Sequence, residues 1–155
     1  MRTPVVAGNW KMNPPTLEEA LALARSARDA AANLTGVTAV ICPPTVWLAD
    51  VRREVAGGRL EVGAQTMHDE ERGAFTGETS PPMLAGLATF VIIGHSERRQ
   101  YNAETDESVR RKVASAVAHG LRRGKRPSAC RAALGDASPA AAATRRCARR
   151  PRCPC

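Results

Sequence analysis

The chain has 155 residues and carries 23 Lys and Arg against 15 Asp and Glu, a formal charge of +8. That length suits one domain, or one and a fraction, and is enough to bury a core that needs no disulfides. No stretch approaches the roughly 18 uninterrupted apolar residues of a membrane span, and the first residues, one Arg and a Pro running into strand-like sequence, do not read as a secretory signal, so neither an integral membrane protein nor an exported one is expected.

Val5, Val6 and Ala7 form an apolar run that stops at Gly8-Asn9, which reads as a short buried strand. Thr16 offers a cap oxygen, with Glu18 and Glu19 in the first turn where carboxylates suit the positive end of a helix. Leu17, Leu21, Ala24 and Arg28 then follow helical spacing. Residues 37–42 form a second strand, closed by Pro43-Pro44. Thr45 is placed to cap a helix carrying Leu48, Val51 and Val55, which Gly57-Gly58 ends. Residues 60–64 form a third strand, followed by a long polar segment, 65–79. Ser80-Pro81 starts a helix, because proline at the first helical position forfeits no needed N–H. Residues 90–93 form a fourth strand, ending at Gly94-His95. Thr105 or Asp106 opens a helix with Val109, Val113, Ala116 and Val117 on one face, and Gly120 stops it. Strands and helices in alternation imply parallel pairing through right-handed crossovers. An α/β layer or an α/β barrel fits, and in either the functional groups gather at the C-terminal ends of strands.

Two such ends carry chemistry. The first strand ends in AGNWKMN, residues 7–13. Gly8 permits a sharp turn, Asn9 supplies a neutral amide, and Lys11 supplies a compact cation suited to a phosphate or a developing oxyanion. A lone lysine after a strand is more often just a solvated side chain. The fourth strand ends in IIGHSERRQY, residues 92–101. A histidine beside the positive end of a helical turn can stay neutral and donate a hydrogen bond to a carbonyl or enediolate. Glu97 can steer nearby cations, and Arg98 and Arg99 balance the local field. A surface turn of mixed charges would look similar.

With VGAQTMHDEERGAFTGETSPPML (residues 62–84) between them, in order and spacing, the two motifs give a chain that resembles the triosephosphate isomerase family from Val5 to about Leu121. The resemblance implies a TIM (β/α)8 barrel, cytoplasmic, working as a homodimer in glycolysis and gluconeogenesis without metal or organic cofactor. It implies interconversion of dihydroxyacetone phosphate and glyceraldehyde 3-phosphate, with a carboxylate base moving a proton through an enediolate. Asn9 and Lys11 would contact the triose phosphate, His95 would polarise the carbonyl, and Glu97 would sit behind Lys11. The neutral histidine electrophile is a known property of the family and comes with the resemblance. Thr76, in GAFTGE, would reach a partner subunit's site, which accounts for a connection longer than a plain βα link needs.

Beyond Leu121 the text changes. Residues 1–121 hold 13 basic and 14 acidic residues, and residues 122–155 hold ten basic residues and one acid, Asp136. The excess positive charge therefore lies in the last segment, which also has four of the five cysteines and Leu134 as its one large apolar side chain. A barrel of this class takes about 250 residues. The sequence reads as a β/α domain over 1–121, truncated to about four βα units, then an irregular basic tail over 122–155, disordered or frameshifted, with no fifth strand legible. Strands one and four would then each expose an edge. The family's catalytic glutamate, its lid and its phosphate-binding glycine turns have no counterpart. Glu104 and Glu107 match no position for the base, so none is assigned, and the chain is expected to be inactive alone.

Three readings of the tail compete. Its Arg, Ala, Pro, Gly and Cys are what GC-rich codons supply out of frame, and the abrupt boundary favours that origin. As an alternative function, a non-enzymatic basic protein could bind nucleic acid through nine Arg and one Lys, yet no aromatic is present for stacking and no module is recognisable. Cys147, Cys153 and Cys155 lack paired CxxC spacing and a nearby His, so no metal is assigned.

Overall fold

The computed structural model describes residues 3–123, and the expectations for the basic tail lie outside the described residues except at its first two positions. The elements, in order, are β1 (Val5–Asn9), α1 (Leu17–Ala31), β2 (Thr38–Cys42), a 3-10 turn (Thr45–Trp47) running into α2 (Leu48–Glu54), β3 (Glu61–Ala64), α3 (Pro81–Leu84), β4 (Phe90–Val91), α4 (Ser96–Tyr101), α5 (Asp106–Ala118) and β5 (Arg122–Arg123). The strands form one parallel sheet in the order β1-β2-β3-β4-β5. Every strand therefore ends at the same rim. No described helix is long and apolar enough to cross a membrane.

Both faces of the sheet are packed. Ile41, Val62, Ala64 and Val91 join Ala20, Ala24, Leu48, Val51, Leu84 and Ala116 in one buried cluster on the helix side. Val40, Cys42 and Phe90 form a second cluster with Ala7 and Ile92. Along β2 the residues alternate between the clusters, which is why its sequence is a continuous apolar run and not an alternating one. Gly63 faces the second cluster. A Cβ there would lie 2.7 Å from Cys42 Sγ, 3.2 Å from Val40 Cγ1 and 3.3 Å from Phe90 Cβ. A side chain at this position would hold the neighbouring strands off, so the close fit of this face depends on glycine.

Local chemistry sets the helix ends. Thr16 Oγ1 accepts from Glu19 N and caps α1. Thr105 and Ser108 cap α5 reciprocally, each side chain bonded to the other's backbone N–H. Gly120, at φ 72°, turns the chain after α5. Pro81 opens α3 as expected, with Ser80 at the cap position but making no side-chain cap bond.

Four expectations need correction. Thr45 does not cap α2; it begins the 3-10 turn that Pro43-Pro44 leads into, and Trp47 occupies the cap position with no side-chain bond. The first strand is not buried: Val5 is 46% and Val6 62% exposed, because β1 is terminal among the described strands and a terminal strand is covered less completely. The fourth strand is Phe90–Val91, shorter than residues 90–93. Finally, a fifth strand exists. Arg122 and Arg123 pair in parallel with Phe90 and Val91, Arg122 N donates to Thr89 O at 2.8 Å, and the Arg122 guanidinium carbon lies 6.0 Å over the Phe90 ring. Two arginines carry no apolar signal, so β5 was invisible to a pattern search. It gives β4 a second neighbour, and β4 is not an edge strand.

The polar segment 65–79 is an ordered arm. His68 N donates to Thr79 O at 2.8 Å, closing its base. The His68 and Phe75 rings stack at 4.0 Å. Arg111 Nε on α5 donates to Asp69 Oδ2 at 2.6 Å, and His119 Nε2 at the end of α5 lies 3.2 Å from Glu71 Oε1. Burial opposes ionisation of Asp69, but the Arg111 hydrogen bond, a backbone hydrogen bond and the Arg111 charge outweigh it and hold the carboxyl below its ordinary 3.8.

Two expected outcomes follow from this packing. Gly63→Ala should lower stability by about 1–3 kcal/mol through overpacking, read as a lower denaturant midpoint; an unchanged midpoint would show that the inner face yields. Because the folded-state value of Asp69 is depressed, its contribution is present above the unfolded value and is lost as pH falls through the folded one. The arm should therefore stay tethered at pH 3.8 and loosen only below it, whereas Asp69→Asn should loosen it at neutral pH. Hydrogen exchange of the arm amides measures both.

Candidate active site

The rim at the strand ends is built first by backbone. After β1 the chain turns through Lys11 at φ 57°, a left-handed conformation uncommon for a residue with a side chain. Four hydrogen bonds tie that turn and its neighbours together. Asn9 Oδ1 accepts from Lys11 N at 3.0 Å. Gln65 Nε2, just past β3, donates to Lys11 O at 2.8 Å and to Cys42 O at 2.9 Å. Trp10 N also donates to Cys42 O, at 3.1 Å. The ends of β1, β2 and β3 are thereby tied together around one lysine.

Lys11 Nζ then reaches Glu97 Oε1, in the first turn of α4, at 2.6 Å. The hydrogen bond from Lys11 holds the Glu97 carboxyl below its ordinary range, against a smaller opposing desolvation. Glu97 N in turn donates to His95 Nδ1 at 3.2 Å. A ring nitrogen that accepts carries no proton, so this geometry puts the proton of a neutral imidazole on Nε2. Glu97 Oε2 lies 3.5 Å from Nδ1, too far for a competing hydrogen bond. His95 is the cap residue of α4, and its side chain is 24% exposed.

Asn9, Lys11, Glu97 and His95 thus form one continuous chain of hydrogen bonds across the rim. Thr76 is not part of that chain; it lies exposed in the turn at the tip of the arm. Arg98 and Arg99 do more than balance charge. Arg99 Nε donates to Gly94 O at 3.2 Å and its Nη1 pairs with Asp106 at 2.8 Å. Arg98 lies 3.6 Å from Glu104 and 4.0 Å from Glu78. Of the carboxylates considered for a base, Glu104 is buried against Lys112 and Glu107 pairs with Arg110. Cys42 is buried, as a small apolar residue would be. Gln65 was missed by sequence reasoning; its one signal is its place directly after a strand end, facing the same rim as Lys11.

Comparison with known proteins gives a consistent result. Residues 4–123 match the family model described as triosephosphate isomerase. The curated triosephosphate isomerase of Chloroflexus aurantiacus is 47% identical over 140 residues, 90% of this chain and 53% of that protein. That of Clostridium botulinum is 51% identical over 126 residues, 78% of this chain and 48% of that protein. The chain spans about half the length of the curated relatives it matches. The crystal structure of triosephosphate isomerase from Bartonella henselae superposes with a TM-score of 0.72 at 37% identity, covering 79% of this chain and 50% of that one. The parallel sheet with its helices is therefore the corresponding part of a (β/α)8 barrel. Since the family model spans most of the sequence, the chain belongs to the triosephosphate isomerase family.

Proposed function

We propose that this chain carries the electrophilic wall of a site that interconverts dihydroxyacetone phosphate and glyceraldehyde 3-phosphate. The observation that carries the reading is the hydrogen-bonded row Asn9–Lys11–Glu97–His95, with an ammonium and an imidazole Nε2–H on one rim. A ketone next to a hydroxyl-bearing carbon is isomerised by taking a proton from one carbon and returning it to the next. The developing charge sits on the oxygens. His95 Nε2–H would donate to the substrate carbonyl and move protons between the two oxygens. Lys11 would balance the phosphate and the enediolate as a fixed cation. Asn9 would contact substrate and hold the Lys11 turn. Glu97 would hold the ammonium in place.

Glu97 is a poor proton acceptor, since its affinity for a proton is lowered by Lys11. Glu104 has both oxygens engaged. Among the described residues we therefore assign no base for removing a proton from carbon. A general base alone contributes typically 10²–10⁴-fold. The chain by itself is accordingly read as inactive.

The arm supports a homodimer. Phe75 is 45% exposed although apolar, and Thr76 beside it is free of burial. An ordered, tethered arm with such a tip suits insertion into a second subunit, where Thr76 would approach Asn9 and Lys11. In this reading the β/α domain ends near residue 121, with β5 running on to Arg123, and the basic segment follows. A cytoplasmic location and a place in glycolysis and gluconeogenesis accompany it.

A coupled assay of the full 155-residue chain should show no triose phosphate turnover; rates near those of a complete family member would refute the missing base. A phosphate-bearing enediolate analogue should still bind weakly at the rim. Losing a charged hydrogen-bond partner costs roughly 1.5–3 kcal/mol, so Lys11→Met should weaken that binding about tenfold or more. Titration calorimetry showing equal binding by wild type and Lys11→Met would remove Lys11 from the site.

A further inference from the structure

We propose that Glu104 is the positioning residue of His95, acting through the peptide of Gly94. The inference rests on reading the Asn9–Lys11–His95 rim as the functional site.

β4 ends at Val91, and among the described residues the last sheet bond beyond it is Ile92 N to Ala64 O at 2.9 Å. His95 therefore stands past the reach of the ladder, and other contacts must fix it. They converge on Gly94. Its N–H donates to Glu104 Oε2 at 3.1 Å, and its C=O accepts from Arg99 Nε at 3.2 Å. Gly94 adopts φ +73°, and a Cβ there would lie 3.2 Å from Val109 Cγ2. The residue is thus clamped on both peptide groups and packed against α5, one position before the histidine.

Glu104 is built for this task. Its side chain is 3% exposed, and its other oxygen, Oε1, lies 2.6 Å from Lys112 Nζ, itself 8% exposed. Arg98 Nε adds a second positive neighbour at 3.6 Å. The Glu104 backbone N–H donates to Arg98 O at 3.3 Å. The preceding residue, Ala103, sits at φ 51°, a strained conformation that surrounding contacts must sustain. A buried ion pair often contributes no more stability than apolar side chains of the same volume. What the pair does supply is direction. Lys112, two turns along α5, holds Oε1 of Glu104 so that Oε2 faces one particular N–H. That N–H belongs to the turn that aims the imidazole.

The test separates positioning from bulk stability. The full 155-residue chain is labelled with 15N, and the His95 ring is followed in long-range 1H–15N correlation spectra, assigned with His95→Gln. The wild-type ring should show protonation at Nε2 and acceptor-type shifts at Nδ1. The double substitution Glu104→Met with Lys112→Met removes both charges and the acceptor for Gly94. It should move the His95 ring signals to the averaged shifts of an unconstrained imidazole. Glu104→Gln with Lys112→Met also lacks the ion pair but returns a carbonyl oxygen to Gly94, and it should restore the wild-type ring shifts. A structural ion pair alone would affect the two doubles equally, so equal loss in both overturns the proposal. So does an unchanged ring in the Met/Met protein. If that protein gives no folded spectrum, the wild-type Gly94 amide decides. Exchange as slow as that of Val91 supports the proposal, and exchange at the rate of an unprotected loop overturns it. A wild-type ring already averaged between tautomers would instead remove the site reading itself, and the proposal with it.

Discussion

The contact that ties the two ends of the candidate site together is the bridge from Lys11 to Glu97. The two residues belong to the first and fourth strand ends. In a flat sheet those ends would be three strand spacings apart, about 14 Å. The sheet curls, and the two side chains close what distance remains. The pair is half exposed on both sides, so it adds little to stability. Its value is positional. It fixes an ammonium beside an imidazole that the same glutamate's backbone N–H orients.

That bridge would mean little without a firm footing at each end. At Lys11 the footing is an uncommon backbone conformation held by the Asn9 and Gln65 amides, which link three strand ends. At His95 it is the Gly94 peptide, gripped by side chains from α4 and from the segment leading into α5. In both places the sheet delivers the chain to the rim and side-chain hydrogen bonds finish the aim. This division of labour is natural for parallel strands. Their ladder bonds end at the rim, and the residues just beyond must find partners of their own.

The family relationship and the geometry describe the same half of a barrel. The described residues supply an imidazole, an ammonium and an ordered arm. The carboxylates near the rim are either drawn to low proton affinity by Lys11 or committed in a buried pair. One rim thereby carries an ammonium and an imidazole side by side, the arrangement on which the proposed function rests.

The sequence by itself determined the alternation of strand and helix, the caps at Thr16 and Thr105, and the gathering of Lys11 and His95 at strand ends. Each of these depends on neighbours a few residues apart, and short-range chemistry is legible in a linear text. Gly63, Gln65 and Glu104 were opaque because Cys42, Lys11 and Gly94, the groups they meet, lie 21, 54 and 10 positions away on other segments. β5 was hidden because two arginines become a strand only where Phe90 and Val91 already offer a ladder. Exposure of Val5 and Val6 likewise follows from the place of β1 in the order, which no run of apolar letters records. Tertiary structure alone decided which polar groups meet across the rim, since curvature and register set those distances.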